Sequence, residues 1–419
     1  MSDKVEIEYI GVAGDGVGTL NGKSYYVPYT APGDVVSIQN SEQRGQGNAA
    51  EVDEFLKKSE LHVPAECKHY GICGGCNVQH LTNEFVENWK SELITSALET
   101  KELPLPEIKP IETSPIHSRR RVEFVAAKRK KGVMIGYHRP KSHQIFDVGE
   151  CPLLVPELLA LVKPLRILLP ELMARNSQAR LTLTMTNNGI DLVIATAHSL
   201  DLEGREKLAR FAQDHKLCRL TWNDDVEKLQ DQIAAVRPAV ITVGDVETQL
   251  PAGGFLQATE HGQETLIRLV CAELGSKEKV VDLFAGCGTF SLPAAKHARE
   301  VLAVEGNPYH TDNMKIAANR QMLPLQTETR DLFRRPLLAD EFKPFDTVII
   351  DPPRAGAKAQ VEEIARSKIT KVLAISCNPK SFARDAEVLI DYGFKMGPIT
   401  PVDQFRWSNH VELFTTFTR

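Results

Sequence analysis

The chain has 419 residues, of which 42% are apolar and 25% are charged, and its formal net charge is −5 at pH 7. This composition is ordinary for a globular protein, and the length suits about two to four domains with hydrophobic cores of their own. No apolar run approaches membrane-spanning length and the first residues show no signal-peptide pattern, which excludes a membrane-spanning protein and leads us to expect a cytoplasmic one.

Residues 1–58 alternate short β-like runs with Gly-rich turns. The runs cover residues 5–10, 24–28 and 35–38, and they are rich in Val, Ile and Tyr. Short strands of this kind, closely spaced and separated by glycine, predict a small β-barrel. A helix-like stretch through Trp89 follows the first cysteines.

Eight cysteines in a protein expected in a reducing compartment argue against a disulfide framework. Cys67, Cys73 and Cys76 are closely spaced around glycines, and Cys151 stands in a Gly-Glu-Cys-Pro sequence. Four convergent thiolates satisfy either a tetrahedral zinc ion or a four-iron cluster, and the spacing leaves both open. Four thiolates would leave no iron of such a cluster open, which disfavours radical chemistry. We expect three of the other cysteines to be buried or merely small residues: Cys218, Cys271 and Cys287.

Residues 104–245 look β-rich. One hairpin is predicted around the turn at 128–132, and a second around Asn187-Asn188-Gly189, because Asn-Gly turns join antiparallel strands. The segment between His117 and His143 has nine basic residues against Glu123 alone, a local excess of eight positive charges. Such an excess suits phosphate contacts, although a solvated hairpin with lysines at its edge is an alternative. The basic residues are Arg119, Arg120, Arg121, Lys128, Arg129, Lys130, Lys131, Arg139 and Lys141.

From about residue 250 the pattern changes to alternating strands and helices, which predicts an α/β domain with a doubly wound sheet. A strand at 280–284 is followed by a glycine-rich turn at 285–289 and a helix from Phe290. The next strand ends in Glu305, whose carboxylate can accept hydrogen bonds from both hydroxyls of a ribose. The turn is not G-x-G-x-x-G, so S-adenosylmethionine fits better than a dinucleotide; an ordinary strand–helix turn is the alternative.

Two further strands end in groups that can do chemistry. Residues 348–350 lead into Asp351-Pro352-Pro353, and Arg354 stands where amino-methylating enzymes often carry an aromatic residue, which disfavours amine methylation. Residues 372–375 lead into Cys377, followed by a helix at 380–390, and catalytic groups of open α/β sheets gather at such strand ends. A buried core cysteine is the alternative.

Glu412 begins the last predicted strand, after the sequence Asp-Gln-Phe-Arg-Trp-Ser-Asn-His-Val at 403–411. Its carboxylate can act as a proton acceptor. The alternative is an edge-strand carboxylate without a catalytic role.

Taken together, these motifs resemble the RNA uracil-C5-methyltransferase family over almost the whole chain. The resemblance implies a TRAM-like RNA-binding barrel at 1–58, an iron–sulfur and β-rich central RNA-binding domain at 59–245, and a Rossmann-like methyltransferase domain at 246–419. It also favours a [4Fe–4S] cluster over zinc at the matching cysteines. The cluster ligands it implies are Cys67, Cys73, Cys76 and Cys151, and the cofactor contacts are Gln257, Phe284, Thr289, Glu305 and Asp351.

The resemblance implies that Cys377 adds to carbon 6 of a uracil, that S-adenosylmethionine donates a methyl group to carbon 5, and that Glu412 removes the carbon-5 proton. The target base must leave its stack to be reached. A barrel together with a cluster points to 23S rRNA, with tRNA as the alternative substrate, and indicates neither a membrane nor an obligate protein partner.

Three residues depart from the common pattern of the family. Arg406 replaces a frequent proline, Trp407 replaces a small or polar residue, and Thr289 stands where Asn is common. We expect Arg406 and Trp407 to lie between the base and the RNA-facing edge, where they would alter target choice. Two readings from other classes remain: an iron–sulfur redox protein and a non-catalytic RNA-binding protein of the same fold.

Overall fold

The computed structural model describes residues 3–45, 47–140, 142–225 and 229–419. In these parts of the chain, no helix is both long and apolar enough to cross a membrane. The fold is built around three main sheets, and the boundaries between them follow the changes of sequence pattern.

The first sheet lies in the N-terminal segment and has the strand order β1-β5-β6-β4-β3-β2. Gly18 of this sheet faces strand β1 so closely that a Cβ atom would lie 2.1 Å from the carbonyl oxygen of Glu6, which shows how tightly the sheet curls. The predicted run at 5–10 is divided because the chain changes partner: Ile7 donates its backbone N–H to the Asp34 carbonyl beside β5, whereas Glu8 donates to the Val17 carbonyl in β3. The strands are β1 (Asp3–Glu6), β2 (Tyr9–Ile10), β3 (Gly16–Leu20), β4 (Lys23–Val27), β5 (Val35–Arg44) and β6 (Gly47–Lys57).

Helix α1 (Asn83–Glu99) follows the first cysteines, and Thr82 caps it by accepting a hydrogen bond from the backbone N–H of Phe85. Its buried face includes Trp89 and Lys90. The short strand β7 (Glu112–Thr113) then joins the C-terminal sheet, so the chain enters that sheet once before the central region is formed.

The central sheet has the order β10-β9-β8-β11-β12-β13-β14, and helices cover a core that includes Phe124, Leu165 and Trp222. Both predicted hairpins are confirmed: Arg129 pairs with Gly132, and Thr186 pairs with Gly189. The elements are β8 (Arg121–Arg129), β9 (Gly132–His138), β10 (Ile145–Asp147), α2 (Pro156–Ala160), α3 (Val162–Leu172), β11 (Gln178–Thr186), β12 (Gly189–Thr196), α4 (Leu202–Asp214), β13 (Arg219–Asp224) and β14 (Leu229–Ala235), followed by the hairpin β15 (Val240–Val243) and β16 (Val246–Gln249).

The C-terminal sheet has the order β19-β18-β17-β20-β21-β24-β23-β7, with β22 also paired to β24. Strands β17 to β21 are parallel, as their continuous apolar runs predict, and β24 is antiparallel to β21. The elements are α5 (Glu260–Ala272), β17 (Lys279–Leu283), α6 (Ser291–Ala294), β18 (Glu300–Glu305), α7 (Pro308–Arg320), β19 (Leu325–Thr329), a 3₁₀ turn (Ala339–Phe342), β20 (Thr347–Ile350), α8 (Lys358–Arg366), β21 (Lys371–Ser376), α9 (Pro379–Asp391), β22 (Lys395–Met396), β23 (Thr400–Asp403) and β24 (Glu412–Thr418).

The strand order reverses at β17, which pairs with β18 on one side and with β20 on the other. Crevices at the carboxyl ends of strands beside such a reversal are the usual ligand sites of doubly wound sheets. The helix predicted from Phe290 is a single turn, because bonds of the turn type, such as Lys296 N–H to the Pro293 carbonyl, end it there.

Candidate active site

Cys377 lies at the carboxyl end of β21, directly before helix α9. The Asn378 side chain caps that helix by accepting a hydrogen bond from Lys380 N–H, and it donates to the Arg354 carbonyl at 3.0 Å. Ser381 donates to the same carbonyl at 3.1 Å. The cysteine turn is therefore tied to the loop that follows β20, so that the ends of two neighbouring strands are held together.

Asp351 and Glu412 share this site with Cys377. Burial raises the pKa of Cys377 to about 12, and the negative charges of Glu412 and Asp351 add to that effect. Burial, with a contribution from Asp351, raises the pKa of Glu412 to about 8, and burial raises the pKa of Asp351 to about 7. The structure thus brings together the thiol and the carboxylates that the sequence placed on three separate strands.

Glu412 is only 5% exposed, and its strand β24 lies between β21 and β23. The alternative that described Glu412 as an edge-strand carboxylate is therefore wrong. A carboxyl group in the interior of a sheet needs a partner or a proton, and its raised pKa shows that it holds the proton more firmly than an exposed glutamate does.

A chain of amides links Asp351 to the loop before β24. Gln257 donates to the Asp351 carboxylate at 3.3 Å, and Gln404 donates to the Gln257 side-chain oxygen at 2.7 Å. Gln404 in turn accepts from Thr259 N–H, and helix residue Gly262 leaves room for it, since a Cβ atom there would lie 2.3 Å from Gln404. Sequence reasoning did not select Gln404, because its contacts join segments about 150 residues apart.

The turn after β17 forms the other end of the crevice. Phe284 adopts a left-handed φ of 62°, and the following Gly286, with a φ of 55°, faces open space. Glu305, at the end of the adjacent strand β18, accepts hydrogen bonds from Gly286 N–H at 3.0 Å and from Asn307 N–H at 2.9 Å. Each carboxylate oxygen has a second lone pair, so both can still accept bonds from a ligand.

Phe333 completes this end of the site, and the sequence did not point to it. The centre of its ring lies 5.3 Å from that of Phe284, and 57% of its surface is exposed. The aromatic pair therefore has free surface on which the ring of a ligand can pack. The available signal was its place a few residues beyond β19, which is again a carboxyl end beside β18.

Two buried side chains support the turn from below. Thr289 is buried, and its hydroxyl lies 3.5 Å from Cys287 Sγ, a contact between two residues of the same turn. Asp282 is fully buried; burial raises its pKa to about 7 and Ser291 donates a hydrogen bond to one of its oxygens. Within the described residues, the second Asp282 oxygen has no hydrogen-bond partner.

The four clustered cysteines line one enclosed cavity together with His69. The pKa of Cys76 is raised to about 12, mainly by burial and in part by the negative charges of the other three thiols. His69 N–H donates to Cys67 Sγ and Gly75 N–H donates to Cys73 Sγ, both at 3.4 Å. In the part of the chain that the structure describes, no three His, Cys, Asp or Glu side chains come close enough to hold one metal ion.

The basic segment is less available than its charge suggests. Arg120 is buried and donates to Gln263 at 2.7 Å, and Lys128 donates to the Pro170 and Met173 carbonyls of the neighbouring helix end. Arg119 stacks on Phe405, with its guanidinium carbon 5.8 Å from the ring centre. Four members of the segment are exposed: Arg129, Lys130, Lys131 and Arg139. Lys141 lies outside the described residues.

The Trp407 ring is buried, so any effect of this residue on target choice would be indirect. Its side chain is 4% exposed and packs with Val78, Leu81 and Trp89. Arg406 is half-buried and donates to the Ser114 carbonyl at 3.4 Å. Hydrophobicity explains the burial of Trp407, because burying a tryptophan ring among apolar side chains stabilises the fold more than exposing it.

Comparisons with known proteins agree with this arrangement. Residues 240–419 match the family model described as tRNA (uracil-5-)-methyltransferase. An RNA methyltransferase of Brucella suis biovar 1 (strain 1330) is 37% identical over 99% of this chain and 98% of its own length. The 23S rRNA (uracil(1939)-C(5))-methyltransferase RlmD of Shewanella woodyi is 30% identical over 96% of this chain and 93% of its own length.

The fold also has a counterpart among solved structures. The tRNA (uracil-54, C5)-methyltransferase of Pyrococcus abyssi, solved with S-adenosyl-L-homocysteine, aligns with a TM-score of 0.74. The alignment covers 99% of this chain and 100% of the other, at 21% identity. At that identity the likeness concerns the fold alone.

Proposed function

Because the chain belongs to the RNA uracil-C5-methyltransferase family and is an S-adenosylmethionine-dependent RNA methyltransferase, we propose that it methylates carbon 5 of a uridine in 23S rRNA through a covalent Cys377 adduct. The observation that carries this proposal is the convergence of Cys377, Asp351 and the buried Glu412 in one group at the end of the sheet where β20 and β21 terminate. A redox protein or a non-catalytic binding module has no use for such a group.

Carbon 5 of uracil is too weak a nucleophile to take a methyl group unaided. In the proposed reaction Cys377 Sγ adds to carbon 6, and the electrons of the 5,6 double bond move onto the ring so that carbon 5 becomes enolate-like. Carbon 5 then forms its bond to the methyl carbon as the bond from that carbon to the donor sulfur breaks. S-adenosylmethionine supplies this methyl group as a sulfonium, which leaves as a neutral thioether.

Glu412 completes the reaction by removing the proton from carbon 5. The electron pair restores the 5,6 double bond, the bond from carbon 6 to Cys377 breaks, and the thiolate is regenerated. Glu412 suits this role because it is buried beside the thiol and its pKa, raised to about 8, makes its carboxylate a stronger base than an exposed glutamate.

The residues of the β17 and β18 ends fit S-adenosylmethionine. Gly286 leaves open space where a side chain would block the turn, and Glu305 keeps acceptor capacity for two ribose hydroxyls. Phe284 and Phe333 would hold the adenine, while Gln257 and Asp351 would line the junction between the donor and the base. Thr289 would support the turn from inside.

We propose, from the family resemblance, that the cysteine group holds a [4Fe–4S] cluster and not zinc. One zinc ion needs its thiolates within bonding distance of a single point, whereas a four-iron cluster offers one iron to each thiol. The four thiols line one cavity, and two of them, Cys67 and Cys73, accept backbone N–H hydrogen bonds. Cys67, Cys73, Cys76 and Cys151 would hold the cluster, and its role would be to organise the segment around them.

The proposed division of labour follows the three regions of sequence. Residues 1–58 form a TRAM-like RNA-binding barrel, residues 59–245 an iron–sulfur and β-rich RNA-binding domain, and residues 246–419 the Rossmann-like methyltransferase domain. The exposed hairpin tip at Arg129–Lys131 supplies charge for phosphate contacts, which depend steeply on salt concentration.

A tRNA uridine is the second candidate substrate. The family model that matches residues 240–419 carries a tRNA description, whereas a relative that matches along nearly its whole length is named for 23S rRNA. Nucleoside mapping of ribosomal and transfer RNA from a deletion strain distinguishes the two. Loss of one 5-methyluridine from 23S rRNA supports the proposal, loss from tRNA supports the alternative, and an unchanged map in both would contradict the function.

A further inference from the structure

The loop between strands β23 and β24, residues 404–411, connects the cysteine-rich segment to the proposed base. It begins after Asp403 and ends directly before Glu412. Its central carbonyl, that of Trp407, accepts backbone hydrogen bonds from Asn77 at 3.0 Å and Val78 at 3.2 Å. Asn77 directly follows Cys76, so a member of the cysteine group is the immediate neighbour of a residue that hydrogen-bonds to this loop.

The Trp407 side chain anchors the same loop in an apolar pocket. The pocket is formed by the cysteine-rich segment, helix α1 and the N-terminal sheet: Ile10, Ala31, Val78, Leu81, Val86, Trp89 and Leu93. Trp407 also has a left-handed φ of 62°, which a bulky residue rarely adopts unless its surroundings impose it. This backbone conformation lets the Trp407 ring fill the pocket while the Trp407 carbonyl accepts the hydrogen bonds from Asn77 and Val78.

Lys90 holds the start of the loop from helix α1. Its ammonium group lies 2.6 Å from the Asp403 carboxylate and donates to the Phe405 carbonyl at 3.1 Å. Both side chains are almost fully buried, at 0% and 2% exposure. Asp403 uses its other oxygen to accept from Phe405 N–H at 2.9 Å, so the pair fixes the backbone that leads toward Glu412.

We infer that Lys90 and Trp407 are positioning residues for proton removal: they fasten the 404–411 loop to the cysteine-rich segment and thereby place Glu412. This inference rests on the proposed function. Cys377 is held by different contacts, those of Asn378 and Ser381 with the β20 loop. Gln404, at the start of the loop, keeps its own contacts with Gln257 and Thr259, which do not involve Lys90 or Trp407. Loss of the Lys90 or Trp407 contacts should therefore impair the step that needs Glu412 more than the addition of the thiol.

Two RNA substrates separate these steps. RNA with 5-fluorouridine at the target has no removable proton at carbon 5, so it records thiol addition and methylation as a stable protein–RNA adduct. Ordinary RNA records the full cycle. In Lys90→Met we expect turnover on ordinary RNA to fall on the order of a hundredfold, as small misplacements of catalytic groups do, while 5-fluorouridine adducts form at nearly the wild-type rate.

Lys101→Met is the matched control. Lys101 follows the same helix and forms an ion pair with Glu387 of α9 at 2.9 Å, but it does not belong to the loop contacts. We expect its turnover to stay at the wild-type level. If Lys90→Met fails to fold because Asp403 is left buried and charged, Lys90→Met/Asp403→Leu removes both charges, and replacing a buried pair in this way is often neutral for stability.

Hydrogen exchange provides a readout that does not depend on activity. The amides of Asn77 and Val78 should exchange faster in Lys90→Met and in Trp407→Ala than in wild type, and those of helix α9 should not change. Equal loss of adduct formation and turnover, or unchanged turnover with unchanged exchange, would overturn the inference. Failure of the wild type to form any adduct would instead overturn the proposed function, and exchange would still decide whether the loop is fastened as inferred.

Discussion

Cys377, Asp351 and Glu412 form a site that resists ionisation before its substrates arrive. Glu412 is buried, and Asp351 and Cys377 are partly buried; desolvation raises the pKa of all three groups, and neighbouring negative charge adds to the effect at Cys377 and Glu412. The exposed Arg354 opposes this effect at Cys377. A site with surplus carboxylates and a protonated thiol is suited to a cationic ligand, whose charge would stabilise the ionised forms.

The first prediction concerns Cys377. Cys377→Ala should abolish both methylation and the adduct with 5-fluorouridine RNA, because no other group replaces the attacking sulfur. Adduct formation is checked by a mobility shift in denaturing gels and by mass spectrometry. Cys271→Ala, in helix α5, is the control and should behave as wild type. An adduct of normal yield in Cys377→Ala would disprove the assignment.

The second prediction concerns Glu412. Glu412→Gln keeps the shape of the side chain but cannot take a proton, so the reaction should stop after methyl transfer. We expect a methylated, covalent protein–RNA complex to accumulate with ordinary uridine RNA, at up to one adduct per protein. Steady turnover by Glu412→Gln at the wild-type rate would mean that another group is the base.

The third prediction concerns pH. Asp351 and Glu412, with pKa values raised to about 7 and about 8, are partly protonated at neutral pH, and a nearby cation lowers the pKa of a carboxyl group. S-adenosylmethionine should therefore release protons on binding, and its affinity should rise with pH between about 6 and 8. S-adenosylhomocysteine has a neutral sulfur and should release fewer.

Calorimetric titrations in buffers of different ionisation enthalpy count these protons. Equal proton release with the two ligands would show that the carboxylates do not sense the sulfonium. Glu412→Gln should lower the number released with S-adenosylmethionine, since one of the titrating groups is then absent.

At the scale of elements, the parallel strands made the site predictable. Continuous apolar runs gave strands β17, β18, β20 and β21, and the residues at their carboxyl ends meet because parallel strands end at the same side of a sheet. Gln404, Phe333 and the burial of Trp407 were not predictable in this way. Their contacts depend on loops whose path is set by packing between distant segments.

The fourth prediction compares the two ends of strand β18 in their effect on cofactor binding. Glu305→Gln should weaken S-adenosylhomocysteine binding by about tenfold, because one charged acceptor for ribose hydroxyls becomes a neutral amide. Glu300→Gln is the matched control, since Glu300 begins the same strand and pairs with Lys279 at its far side. Calorimetry gives both affinities; equal weakening in the two variants would indicate a general effect on the strand.

At the scale of the whole molecule, the cysteine-rich segment contacts both the N-terminal region and the C-terminal sheet. It contacts the N-terminal sheet, as in the bond from Asn77 to the Ala13 carbonyl, and it holds the 404–411 loop of the C-terminal sheet. The sequence could suggest that these thiols converge, because their spacing is local. It could not show that the residue after Cys76, Asn77, binds the 404–411 loop, because the hydrogen bond from Asn77 to the Trp407 carbonyl joins residues more than 300 positions apart.

The fifth prediction tests the metal. Protein purified without oxygen should contain iron and acid-labile sulfide, and Cys76→Ser should lose both together with thermal stability, because metal binding energy contributes to folding. Cys218→Ser, in the central region, should retain the metal. Zinc without sulfide in the wild type would replace the cluster by a zinc site, and absence of both metals would refute a metal role for these cysteines.

Strand β7 has a consequence for how this protein can be divided. It pairs with β23 through only Glu112 and Thr113, yet it comes from a part of the chain that precedes the whole central sheet. A fragment cut at residue 240, where the family match begins, would lack β7 and leave one edge of β23 unpaired, while its other edge stays paired with β24. An open strand edge of this kind recruits other chains, so the isolated catalytic half should self-associate through β23, and adding back residues 104–116 as a peptide should keep it monomeric.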